Sequence, residues 1–118
     1  MKAGTIVLVD WRDALPGSGE PNKRRPGVVV SSPRFFGRDL PFEIVVPLSG
    51  EADLAIVGAS LTIHPTKENR CTKPSYALAW NVQAVPHRRL RETMAHITSS
   101  ELAAIRAQIT ACVSEPDG

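Results

Sequence analysis

The sequence predicts a mainly β domain finished by a single C-terminal helix. Ten prolines and eight glycines cut the 118-residue chain at short intervals, leaving segments of strand length between turn residues. Several of those segments are aliphatic runs with no helical period. Only the stretch after Thr98 combines a helix cap with apolar residues at helical spacing.

Thr5-Ile6-Val7-Leu8-Val9 is expected as the first strand. Residues 11 to 22, with Pro16-Gly17-Ser18-Gly19 and Pro21, read as a long polar loop. Further strands are expected at 27–32, 42–48, 60–63, 75–80 and 92–97. The runs Ile6 to Val9, Val28 to Val30 and Ile44 to Val46 are apolar on consecutive residues. Such strands are covered on both faces, either by a second copy of the chain or by closure into a small barrel with the helix packed outside. Thr98-Ser99-Ser100-Glu101 fits a capping box. Leu102, Ile105, Ile109 and Cys112 or Val113 then form one apolar stripe, on which Cys112 is expected as a small core residue. Residues 1–113 make one domain on this reading, and 114–118 a frayed tail.

The hydrophobic fraction of 42% fits a soluble globular chain. A net charge of +2 is only mildly basic, so nucleic-acid binding requires a local patch. Two are present, Lys23-Arg24-Arg25 and His87-Arg88-Arg89-Leu90-Arg91, the latter read as a solvated loop. Cys71 and Cys112 supply neither a disulfide framework nor CxxC zinc spacing, which points to the cytoplasm. The first apolar run is too short for a signal peptide or a membrane span.

Phosphate-loop, dinucleotide, HExxH and GxSxG motifs are absent, and the acids stand singly. His64, His87 and His96 are dispersed. No metal or cofactor is expected. Three cations precede Pro26 at the lip of the second strand, and a guanidinium pairs with phosphate through two hydrogen bonds. If the second and third strands pair antiparallel about Gly37, Arg25 falls opposite Ser49, about 5 Å away at Cβ. A slip of one residue sends the two to opposite faces.

These residues, in this order, resemble the MazF/PemK family of toxins from type II toxin–antitoxin systems. The likeness rests on Gly4-Thr5-Ile6-Val7-Leu8-Val9-Asp10, a Gly/Pro-rich loop, Arg25-Pro26-Gly27-Val28-Val29-Val30, Val45-Val46-Pro47-Leu48-Ser49 and the C-terminal helix. It implies an SH3-like, partly open β-barrel of the MazF/PemK/CcdB type, dimeric, inhibited by a cognate antitoxin protein and cutting single-stranded RNA without metal. The family's arginine before proline matches Arg25, and its active-site hydroxyl matches Ser49. A further family arginine matches Arg70, but the acid two residues on is replaced by Thr72, so an aspartate base is not supported. Lys23 and Arg24 are expected to draw in the RNA backbone. Trp11 is expected either to stack a base or to join the core, and His64 is a candidate proton acceptor. The competing readings are a CcdB-like gyrase poison, which needs neither Arg25 nor Ser49, and a non-catalytic nucleic-acid module, for which 5% aromatic content leaves few stacking residues.

Overall fold

The computed structural model describes residues 1–11 and 24–116. Among the described residues there are seven strands: β1 Thr5–Asp10, β2 Arg24–Val29, β3 Phe42–Ser49, β4 Leu61–Ile63, β5 Ser75–Ala77, β6 Gln83–Pro86 and β7 Leu90–His96. A helix, α1 Ser99–Val113, follows. Every strand pairing is antiparallel. The strands form an open sheet in the order β4-β5-β3-β2-β1-β7, with β6 also on β3.

Strand β3 is the hub. One side pairs with β2; the other takes β6 at residues 42–45 and β5 at Leu48 and Ser49. The strand β6 was not expected from the sequence, being short, polar at Gln83 and ended by Pro86. The expected strand 75–80 stops at Ala77, after which Ala79–Asn81 turn as a 3-10 helix. The basic run is likewise not a loop: His87–Arg89 form a 3-10 turn, and Leu90 and Arg91 begin β7.

The consecutive apolar residues split cleanly by strand alternation. Ile6, Val28, Val46 and Leu48 face α1 and pack with Ile105, Ile63 and Ile97. Val7, Val9, Val29 and Val45 face the other way and pack with Trp11, Val85 and Leu90. One chain thus covers both faces, so two-sided apolarity does not by itself call for a second copy.

Thr98 caps α1 as expected: its hydroxyl accepts Glu101 N–H at 3.0 Å, and the Glu101 carboxylate accepts Thr98 N–H at 2.9 Å. The apolar stripe fades towards the C-terminus. Ile105 is buried and Leu102 and Ile109 pack on the core, but Cys112 is exposed and Val113 is 78% exposed. Cys112 is therefore not a core residue; the packed part of the helix ends before it. Among the described residues no helix is long and apolar enough to cross a membrane.

Candidate active site

Strand β2 begins with Arg24, Arg25 and Pro26, and Pro26, its third residue, lies opposite Leu8 of β1. Gly27 pairs with Pro47, Val28 with Val46 and Val29 with Val45. This is the register expected from pairing about Gly37. Continued by two residues, it sets Arg25 opposite Ser49. Both side chains then project on the face of Trp11 and Val45, away from α1.

Neighbouring strands extend this row. Arg25 pairs with Val9 of β1 on one side. Ser49 pairs with Tyr76 of β5, and Tyr76 with Thr62 of β4. A guanidinium, an alcohol, a phenol and a second alcohol thus lie in line across one end of the sheet, one strand apart each, about 5 Å per step.

The Arg25 Nε is buried and without a hydrogen-bond partner among the described residues. Such a donor is uncommon in a folded chain, and here it belongs to the residue best suited to hold an oxyanion. The Ser49 hydroxyl accepts Glu51 N–H at 3.1 Å, which fixes its oxygen and leaves its proton available to donate.

The segment after β4 is built around Asn69, which is 3% exposed. Its side chain accepts the amides of Thr66 and Cys71, each at 2.9 Å, and donates to the His64 carbonyl at 2.8 Å. Arg70 follows in the left-handed region at φ +56°, the one non-glycine residue with positive φ among those described. That conformation costs a branched or long L residue about 1–2 kcal/mol and is maintained by the Asn69 network.

Arg70, Thr72 and Lys73 line a cleft of about 350 Å³ with Pro26, Leu48 and Thr93. Pro26 and Leu48 adjoin Arg25 and Ser49 in sequence but point to the opposite face. The Arg70–Thr72 segment and the Arg25–Ser49 pair therefore share an end of the sheet rather than one face. Lys73 connects them: a Cβ on Gly50 would lie 3.2 Å from its Cε and 3.4 Å from its Nζ. Lys73 and Tyr76 were not singled out from sequence, since a lysine before proline and a tyrosine in a three-residue strand carry no signal until the register places them.

Trp11 is 2% exposed and packs among Val9, Val29 and Val45. Of its two expected roles it takes the core one, and no ring face is offered to a base. His64 is exposed and does not line the cleft; its contribution is the carbonyl held by Asn69. Arg24 is exposed opposite Asp10 on β1. Lys23 and residues 12–22 of the loop lie outside the described residues. Among the described residues no three His, Cys, Asp or Glu side chains gather as a metal set.

The fold and this end of the sheet define a small antiparallel β protein whose cationic, hydroxyl-bearing rim suits an anion of phosphate type. The chain belongs to the PemK-like, MazF-like toxins of type II toxin–antitoxin systems, whose family model matches residues 2–113. A search of curated protein sequences returns no match. Among solved structures, the chain is similar to a mycobacterial endoribonuclease in complex with its cognate antitoxin (TM-score 0.71, 16% identity, 98% of this chain and 99% of that one). It is also similar to MazF of Deinococcus radiodurans in a MazE–MazF complex (0.69, 18%, 98% and 97%). MazF from the same organism, crystallised in another form, matches at 0.68 with 21% identity over 94% of each chain. At these identities the likeness carries the fold, an open mainly β sheet with a C-terminal helix.

Proposed function

We propose that this toxin is a metal-independent endoribonuclease that cuts single-stranded RNA at the Arg25–Ser49 end of the sheet. The observation that carries this reading is the buried Arg25 Nε, without a hydrogen-bond partner among the described residues, in register with the Ser49 hydroxyl. Family membership and the endoribonuclease among the structural neighbours support it.

The ribose 2′-hydroxyl attacks the adjacent phosphorus, and the bond from phosphorus to the 5′-oxygen breaks. The products are a 2′,3′-cyclic phosphate and a 5′-hydroxyl end. Charge grows on the non-bridging oxygens, where Arg25 and Ser49 donate; one such preorganised donor is worth roughly 3–4 kcal/mol. Lys73, beside Gly50, adds a second cation, and its ammonium suits donation to the departing oxygen. Arg70 and Thr72 bind the strand along the cleft, and Lys23 and Arg24 steer its backbone. None of Arg25, Ser49, Lys73 and Tyr76 is by chemical class a base at neutral pH, and His64 stands outside the cleft, so the acceptor of the 2′-proton is none of these five.

The protein works in the cytoplasm as a homodimer, held inactive by a cognate antitoxin whose segment orders on binding. The antitoxin complexes among the neighbours support that partner. Dimerisation is supported by β7, an edge strand of the sheet, which bears Met94 at 79% exposure. An open groove of about 610 Å³ runs beside it between residues 2–5 and Leu102.

The test is cleavage of single-stranded RNA in EDTA. Wild-type protein is expected to cut, Arg25→Ala to lose about 10²–10³-fold in rate while staying folded, and a substrate with 2′-deoxyribose at the cut site to survive. Cleavage of the deoxy substrate would sink the mechanism. Growth arrest that persists in Arg25→Ala would point to a protein target instead.

A further inference from the structure

At the other end of β2 and β3, the connection Pro33-Arg34-Phe35-Phe36-Gly37-Arg38 carries an exposed aromatic among cations. Phe35 is 61% exposed, and the Arg34 guanidinium carbon lies 5.1 Å from its ring centroid. Arg38 is exposed as well, with Asp39 the acid beside it.

The tip is internally hydrogen-bonded. The amides of Phe35 and Phe36 donate to the Ser32 carbonyl at 3.3 and 3.2 Å, and Gly37 N–H donates to the Leu40 carbonyl at 2.8 Å. Gly37 takes φ +111° to make that bond, a conformation open mainly to glycine.

Its base is clamped by a buried carboxylate. Glu43, 2% exposed, accepts the Ser31 hydroxyl at 2.5 Å through one oxygen. Its other oxygen lies 2.6 Å from His87 Nε2. His87 N–H also donates to the Pro41 carbonyl at 3.0 Å. Burying a carboxylate is costly unless both oxygens are satisfied. Here the satisfied acid ties the hairpin to the 3-10 turn and brings exposed Arg88 to its foot. From α1, Arg106 donates to the Val30 carbonyl at 2.9 Å, adding a further cation at the same end.

We infer that this hairpin is a second single-stranded RNA contact, a stacking platform at Phe35 flanked by phosphate contacts from Arg34, Arg38 and Arg88. It rests on the ribonuclease reading for its choice of polymer. Single-stranded nucleic acid is bound by a π face beside cations, and this tip supplies both on a pre-formed backbone. Six residues of strand separate Ser31 from Arg25, roughly 20 Å, so the contact is with RNA flanking the cut and not with the scissile phosphate. The basic run at 87–91 acquires a role on this account: His87 places it and Arg88 meets the polymer.

The experiment measures binding of a fluorescently labelled, mixed-sequence single-stranded RNA to Arg25→Ala protein, by anisotropy, across a salt series. Adding Phe35→Ala is expected to weaken binding roughly tenfold, and Phe35→Tyr to restore it. Arg34→Ala and Arg38→Ala are each expected to reduce the slope of log K against log salt by about 0.7. Unchanged affinity and slope overturn the inference. So does a result in which these substitutions weaken a poly-glutamate peptide but not RNA, since that makes the hairpin a protein dock. Cutting by wild type with Phe35-independent binding leaves the ribonuclease and removes the platform; Phe35-dependent binding without cutting does the reverse.

Discussion

Gly27 sits where no side chain fits. A Cβ there would come within 2.7 Å of Val45 Cγ1, 3.0 Å of Trp11 Cζ2 and 3.1 Å of the Val46 carbonyl oxygen. The glycine after Arg25-Pro26 is thus what lets Trp11 close the core on the Arg25 face. Gly27→Ala is expected to destabilise the fold by about 1–3 kcal/mol through overpacking, read as a lower midpoint in urea unfolding. An unchanged midpoint would mean that Val45 and Trp11 can both step aside. At Gly50 the neighbour is instead the flexible end of Lys73. Removing that charge with Lys73→Gln is expected to lower kcat/KM about tenfold or more, on the scale of one charge-assisted hydrogen bond. Lys73→Arg should retain most of the activity, and thermal melts of both variants should overlay wild type because the side chain is exposed.

Among the elements, α1 is the one whose start is written most plainly in the sequence, and its cap can be tested alone. Thr98→Ala removes the acceptor for Glu101 N–H and is expected to cost about 1 kcal/mol, seen as a drop of about 4 °C in Tm. No drop would show that packing of Ile105 alone sets the helix start. The strands divide by length. The runs at β1, β2 and β3 are long enough for composition to reveal them, and their pairing register follows from the turn at Gly37. The strand β6 and the truncation of β5 were not legible. Leu78 N–H donates to the Pro47 carbonyl and the chain then turns, a choice made by contact with β3 and not by local propensity.

For the molecule as a whole, both sheet faces are filled from within one chain, so the proposed dimer has to form through an edge or an outer surface. Light scattering is expected to give twice the 12.8 kDa chain mass, and Met94→Glu on the β7 edge to shift the protein to monomer. A wild-type monomer at working concentration would remove the dimer from the proposed function. The two candidate RNA contacts lie at opposite ends of β2 and β3, so one rigid strand pair fixes the distance between the cut site and the flanking platform.

The sequence by itself determined the mainly β class, the capped helix and the family, because each is carried by residues close along the chain or by the order of short motifs. Tertiary structure alone decided the rest. It sent Trp11 into the core and Cys112 to the surface, since burial depends on what lies opposite and not on residue type. It brought Tyr76 beside Ser49 and Lys73 beside Gly50, contacts made across strands that no local pattern encodes. It also gathered Ser31, Glu43 and His87 from three separate segments into one clamp, where a buried carboxylate makes sense only once its partners are in place.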